Sequence, residues 1–206
     1  MTAALYALGG YLAGSIPFGV IVSRLLRLND PRTYGSKNIG ATNVLRSGNR
    51  LAALLTLAGD AGKGWAAVLV AASLGADIGM MAMVGLTAFL GHVFPVWLRF
   101  HGGKGVATAA GVLIALDWRL GLAEIVLWAA VVAATRYSSL GAIVAAVAAP
   151  VAAWLLDGIG PVLYAVAAMS VLLVERHRAN IGKLLRGEES RVGDRSRQGD
   201  KEASAT

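Results

Sequence analysis

The chain has 206 residues, 56% of them hydrophobic and only 15% charged, with a mean hydropathy of +0.63, which is too apolar for a soluble domain of this length. Cysteine is absent, which excludes disulfides, a cysteine nucleophile, an acyl-cysteine intermediate and a thiolate metal site. The formal net charge of +7 raises nucleic acid as a partner, but the cations fall in short loops between apolar segments rather than along one solvated face with aromatics, so no nucleic-acid role is expected.

Residues 2–23 form the first apolar segment, and with no basic leader region or small-residue cleavage site it reads as a retained span. Pro17, within Gly14-Ser-Ile-Pro-Phe-Gly19, removes an N–H and predicts a kink there. Residues 24–50 carry Arg24, Arg27, Arg32, Lys37, Arg46 and Arg50 against one acid, Asp30, so this loop is expected on the cytoplasmic side and the amino end outside. Inside it, Tyr34-Gly-Ser-Lys-Asn-Ile-Gly-Ala-Thr-Asn-Val-Leu-Arg46 is suited to hold an anion. Gly35 and Gly40 let the backbone turn its N–H groups inward. Ser36, Asn38, Thr42 and Asn43 offer neutral donors, while Lys37 and Arg46 offer charge. A plain glycine-rich connector with topogenic charges is the alternative at this point.

Residues 51–74 read as a second span whose middle, Gly59-Asp-Ala-Gly-Lys-Gly64, holds charges that lipid disfavours. Asp60 and Lys63 are three apart, so they pair with each other on a helix, or Lys63 points at the anion of the first loop. Gly64 stands where a P-loop needs Ser or Thr, which rules that motif out. Residues 76–79 make an outer turn and 80–98 a third span, with His92 read as an interfacial or packing histidine. Arg99-Phe-His-Gly-Gly-Lys-Gly-Val-Ala-Thr108 follows. Gly102, Gly103 and Gly105 leave the backbone around Lys104 open, and a helix starting near Val106 would aim its free N–H groups at a bound anion.

The next apolar segment, 105–116, is short for a crossing. Residues 117–119 turn outside and 120–135 return, with Glu124 taken as interfacial. In Arg136-Tyr-Ser-Ser-Leu-Gly141, Ser138 and Ser139 are placed to cap the following helix or to contact substrate. Residues 140–156 and 161–174 complete an all-α bundle of about seven membrane helices, amino end out and carboxyl end in. The outer turns carry Asp77, Asp117 and Asp157 against Arg119, and the inner loops carry most of the cations. In Glu175-Arg-His-Arg-Ala-Asn-Ile-Gly-Lys183, a helix would put His177 and Asn180 on one face. Residues 1–187 form a single membrane domain, and 188–206 read as a polar, disordered tail.

No metal-ligand set, His-carboxylate acyltransferase motif or serine elbow is evident, so no metal or cofactor is expected. What remains is an inner-face basin of phosphate donors beside apolar helices. Gly14-Ser-Ile-Pro-Phe-Gly19, Gly35-Ser-Lys-Asn-Ile-Gly-Ala-Thr-Asn-Val-Leu-Arg46, His101-Gly-Gly-Lys-Gly-Val-Ala-Thr108 and His177-Arg-Ala-Asn-Ile181 with Gly187-Glu-Glu189 resemble, in order, the motifs of the bacterial membrane acyl-phosphate:glycerol-3-phosphate acyltransferases, the PlsY family. The resemblance implies an inner-membrane enzyme facing the cytoplasm. It would transfer an acyl group from acyl phosphate to the 1-hydroxyl of glycerol 3-phosphate, giving lysophosphatidic acid and phosphate, with no protein partner required. It places Ser36, Arg46, Lys104, Ser139, His177 and Asn180 at the phosphate and acyl-transfer site, shaped by Asn43, Gly103 and Gly105. Glu189 would hold the last motif in place, and Asp60 and Lys63 also match family positions. On residues alone, a transporter for an organic phosphate is the alternative from another class, and a non-catalytic lipid-binding scaffold a third.

Overall fold

A computed structural model describes residues 2–193. Ten α-helices occur among the described residues, with no strand. The first crossing is α1 (Ala3–Gly14) and α2 (Phe18–Leu25), broken at the expected place because Pro17 cannot donate. A single turn, α3 (Ala41–Val44), sits in the long loop before α4 (Arg50–Ser73), which Asn49 caps by accepting from the Ala52 N–H at 2.9 Å. Asp77 caps α5 (Ile78–Val93) in the same way at the Met80 N–H, 2.8 Å. Then come α6 (Val106–Leu116), α7 (Trp118–Thr135), α8 (Ser138–Asp157), α9 (Pro161–Arg176) and α10 (Arg178–Leu185).

Among the described residues, five stretches are long and apolar enough to cross a membrane: Ala3–Leu25, Arg50–Ser73, Ile78–Leu98, Trp118–Thr135 and Ser138–Asp157. With 11 and 16 residues, α6 and α9 fall short of the ~20 that a bilayer core asks for. The short segment foreseen before Asp117 is α6. Outward-facing Leu54, Leu57, Trp65, Val151, Trp154, Leu155, Tyr164 and Val171 are exposed in the isolated chain, as lipid-facing side chains must be.

Between helices, small residues set the distances. Gly10 and Gly14, four apart on α1, lie against Val84 and Ala88 of α5, and a Cβ on Gly14 would fall 1.9 Å from the Ala88 carbonyl oxygen. Gly111 of α6 meets Ala61 of α4 equally closely, at 1.9 Å, and Gly64 of α4 meets Thr108. The main core joins Phe89 and Val93 of α5, Val112 and Leu113 of α6, Leu120 of α7, Ala149 and Ala153 of α8, and Val166, Met169 and Leu173 of α9.

The third span runs to Leu98; its α-helix stops at Val93 and Val96–Leu98 is a 3-10 turn, because Pro95 interrupts the ladder. Glu124 of α7 is buried in the bundle. Two expectations need correction. Neither Ser138 nor Ser139 caps α8, whose start carries no side-chain cap. Residues 188–193, assigned to the tail by their polarity, fold back on the bundle, where the Val192 N–H donates to the Arg136 carbonyl at 2.7 Å and Arg136 returns a bond to the Val192 carbonyl at 2.9 Å. The rest of the expected tail lies outside the described residues.

The α4–α6 contact predicts an asymmetry between two glycines. Gly111→Leu should lower the thermal midpoint of the purified protein in detergent, overpacking costing about 1–3 kcal/mol. Gly62→Ala, where a Cβ meets open space, should leave it unchanged or higher, glycine being about 1 kcal/mol worse than alanine inside a helix.

Candidate active site

Four segments distant in sequence meet at one end of the bundle: the α2–α4 loop, the α5–α6 loop, the start of α8, and α10 with the residues after it. The first is folded around Asn43, which is 2% exposed. Its side-chain amide donates to the carbonyls of Pro31 at 2.7 Å and Asn38 at 2.8 Å, and its Oδ1 accepts from the Ser36 N–H at 2.9 Å. Asn43 therefore spends its polar groups shaping the loop. Gly35, at φ +57°, turns tightly enough that a Cβ would strike Asn43 Oδ1 at 2.4 Å. Gly35 also packs against the Arg46 side chain, so Ser36 and Arg46 become neighbours. Asn38 accepts from the Gly40 N–H at 2.9 Å, and the Lys37 side chain is exposed; neither bonds to the network around Lys104.

Lys104 is the centre of that network. Its ammonium donates to Asn180 Oδ1 at 2.5 Å, Asn180 Nδ2 donates to Glu189 Oε1 at 2.7 Å, and Ser139 Oγ donates to the same oxygen at 2.7 Å. Arg46 donates to Ser190 Oγ at 2.5 Å, which brings the first loop to the chain's last described turn. Ser138 pairs with Thr42 at 3.4 Å, so the two adjacent serines divide: Ser139 enters the network and Ser138 stays at its edge. Thus Arg46, Lys104, Ser139, Asn180 and Glu189 are joined, with Ser36 beside Arg46 and His177 next to Lys104.

The glycine loop is held from both sides. Arg176 donates to the carbonyls of Gly102 and Gly103, and the Gly103 N–H donates to the His92 carbonyl at 3.1 Å. Gly105, at φ +91°, opens α6 in the left-handed region that glycine alone enters freely, with Phe89 packed against it. The free N–H groups of α6 therefore start directly after Lys104.

Burial pulls the Lys104 ammonium down to a pKa of about 8, reinforced by Arg46, Lys183 and Arg176 and opposed by Glu189. His177 is buried, and burial with the charge of Lys104 lowers it to about 4. Its Nδ1 lies 2.8 Å from the Leu173 carbonyl oxygen, so Nδ1 carries the proton and donates it there, leaving Nε2 with a free lone pair at neutral pH. Among the described residues no group of three or more His, Asp or Glu side chains gathers closely enough to hold a metal ion.

Lys63 lies outside this network. Its ammonium is 2.7 Å from the Ile16 carbonyl oxygen and, in buried contacts, 2.8 Å from Asp60 Oδ1 and 2.9 Å from His92 Nδ1. Of the two readings open for it, the structure contains the ion pair with Asp60, enlarged by His92, which sequence reasoning passed over. The only signal available was that a buried Asp and Lys leave two ammonium protons to place. Next to Lys63, an apolar groove of about 480 Å³ runs between α1 and α4, lined by Tyr6, Gly10, Phe18, Gly59 and Val70 among others. None of the side chains of the Lys104 network lines it.

The family model described as glycerol-3-phosphate acyltransferase matches residues 4–187. Similar curated proteins named glycerol-3-phosphate acyltransferase include one from Ralstonia nicotianae, 56% identical over 94% of this chain and 95% of that protein. Another, from Burkholderia lata, is 60% identical over 94% and 92%. A crystal structure of PlsY (YgiH), described as an integral membrane glycerol 3-phosphate acyltransferase in its glycerol 3-phosphate form, superposes with a TM-score of 0.87 at 36% identity, covering 94% of this chain and 96% of that one. Its lysophosphatidic acid form gives 0.85 at 35% identity, covering 93% and 95%. Matched by the family model over residues 4–187, by these curated proteins over most of its length and by the solved structures over its fold, the chain belongs to the PlsY family of integral membrane glycerol-3-phosphate acyltransferases.

Proposed function

We propose that this protein transfers a fatty acyl group from acyl phosphate to the 1-hydroxyl of sn-glycerol 3-phosphate, releasing lysophosphatidic acid and inorganic phosphate. The reaction takes place at the cytoplasmic face of a bacterial inner membrane, where the cation-rich loops put their charge. The observation that carries this is the cup in which Arg46, Lys104, Ser139 and Asn180 converge from four segments on the end of an apolar bundle. The solved relative is described in forms with glycerol 3-phosphate and with lysophosphatidic acid, an acceptor and a product of this chemistry. Kinship with acyltransferases leaves the transporter alternative without support.

Acyl phosphate arrives activated, so the protein must neutralise phosphate, align the hydroxyl with the carbonyl and stabilise the oxyanion. Ser36, Arg46 and Lys104 hold phosphate oxygens. The glycerol hydroxyl oxygen attacks the acyl carbon, the bond from that carbon to the phosphate oxygen breaks, and the hydroxyl proton ends on the departing phosphate. Nε2 of His177, unprotonated at neutral pH, accepts the proton on the way, or a phosphate oxygen of the substrate takes it directly. No covalent acyl-enzyme is needed, and Glu189 keeps Ser139 and Asn180 facing the site.

Palmitoyl phosphate with glycerol 3-phosphate should yield lysophosphatidic acid and phosphate in equal amounts, whereas the coenzyme A and acyl carrier protein thioesters of the same chain should not serve; turnover with a thioester but not with acyl phosphate rejects the donor. Arg46→Ala and Lys104→Ala should each lower kcat/KM roughly 10- to 100-fold, since a hydrogen bond to a charged group contributes about 1.5–3 kcal/mol. Near-normal kinetics in both would remove them from the phosphate site. Lys104 is charged below a pH of about 8 and neutral above it, so KM for glycerol 3-phosphate should climb as pH rises through that value. Lys104→Arg, which stays charged, should carry this limb to higher pH; a limb that stays put belongs to another group. In a single turnover with labelled acyl phosphate, no protein-bound acyl group should form and decay at the catalytic rate.

A further inference from the structure

The ring of His92 lies outside the phosphate cup, yet it touches the loop that carries Lys104. A Cβ built on Gly103 would fall 2.0 Å from His92 Nε2, closer than any side chain can sit, and 2.8 Å from Cε1. Gly102 is equally tight, with its Cβ position 2.2 Å from the His92 carbonyl oxygen and 2.4 Å from the Pro95 ring. The Gly103 N–H closes the contact by donating to that same carbonyl at 3.1 Å. Lys104 is the next residue. Whatever fixes the His92 ring therefore fixes the height of the loop at the residue before the ammonium.

Two side chains fix it. The Lys63 ammonium has three protons and no lone pair, and three acceptors stand around it: the Ile16 carbonyl at 2.7 Å, Asp60 Oδ1 at 2.8 Å and His92 Nδ1 at 2.9 Å. Facing an ammonium, Nδ1 has to accept, which puts the ring proton on Nε2, the edge turned toward Gly103. Asp60 Oδ1, 3.4 Å from Nδ1, borders the ring on the same side. His92 is 3% exposed, so the ring has no route out of this position. On the opposite side of the loop, Arg176 donates to the Gly102 and Gly103 carbonyls at 3.2 and 3.3 Å. The loop is clamped between a guanidinium and an imidazole.

We infer that His92 is a positioning residue for acyl transfer: its ring, locked by Lys63 and Asp60, is the seat on which Gly102 and Gly103 rest, and it sets where Lys104 meets the phosphate. This inference rests on the proposed function for its kinetic readout. Glycine is required at 103 because the ring occupies the space of a side chain, and Lys63 and Asp60 act on the site through that ring.

The seat is tested by compensation. In purified full-length protein, Gly103→Ala should lower kcat/KM for glycerol 3-phosphate at least tenfold, because a methyl group cannot share the space of Nε2. Combined with His92→Ala, the methyl gains the vacated space, and the double variant should recover several-fold over Gly103→Ala alone even though His92→Ala is itself impaired. A double variant equal to or worse than the product of the two single effects overturns the seat, and assigns Gly103 to close approach of the ligand instead. His92→Asn keeps an acceptor for Lys63 while removing Nε2, so the pair Gly103→Ala and His92→Asn/Gly103→Ala repeats the comparison where His92→Ala fails to fold. His92→Asn should raise KM for glycerol 3-phosphate several-fold with its thermal midpoint near that of the parent; an unchanged KM with a lowered midpoint reduces His92 to packing. If the parent protein does not turn over acyl phosphate, the functional proposal fails by itself, and calorimetric binding of glycerol 3-phosphate to the same four proteins still decides the seat by the same recovery.

Discussion

One ammonium group, that of Lys63, ties the loop of Ser36 and Arg46 and the loop of Lys104 to the same point inside the bundle. A charge at the centre of a membrane helix costs about 2.5–3.5 kcal/mol on insertion scales, so it persists only where polar partners replace water. Here the partners come from three places. Asp60 is on its own helix, the Ile16 carbonyl is at the break that Pro17 makes between α1 and α2, and His92 is at the last turn of α5. The break leads through α2 into the loop of Ser36 and Arg46, and α5 leads into the loop of Lys104. Holding the break and the turn together therefore holds two arms of the site in register. Such a buried ion pair is weak evidence for stability in itself, since apolar replacements can be as stable, but it is well suited to fixing one arrangement.

The glycines do the complementary work of depth. With 11 residues, α6 rises only about 16 Å, roughly half of a hydrocarbon core. Its Thr108 lies against Gly64, well inside α4 rather than at its end. Lys104, just ahead of α6, is thereby recessed from the ends of the longer helices. Close packing of Gly111 on Ala61 and of Gly14 on Ala88 allows short and broken helices to share a bundle with full-length ones.

How much of this was legible in the sequence follows from where the partners sit. Apolar segments, Pro17 and the helix beginning at Val106 are local, so each could be read from a few neighbouring residues. The clustering of glycine, hydroxyl and cation in the loops of Ser36 and Lys104 was visible too, because these residues occur together within a dozen positions. Contacts across long separations left no such trace. Ser139 reads as a helix cap until Glu189, fifty positions on, accepts its hydrogen bond. His92 reads as packing until Lys63, on another helix, turns to it. Residues 188–193 read as disordered because polarity was all that the local sequence offered, whereas Arg46 and Arg136, more than fifty positions away, hold that turn in place.

The charges of the cup are arranged for a ligand they do not yet hold. Burial is the main reason that Lys104 gives up its proton more easily than a free lysine; Glu189 opposes it, and Arg46, Lys183 and Arg176 add to it. Burial likewise keeps His177 neutral, with the charge of Lys104 reinforcing it. On the proposed function, a phosphate dianion entering the cup would favour the charged form of Lys104 and, by neutralising part of that positive charge, would make the free nitrogen of His177 a better proton acceptor. Binding of the ester and readiness of its proton acceptor would then be coupled through one charge, with no covalent acyl-enzyme needed between them.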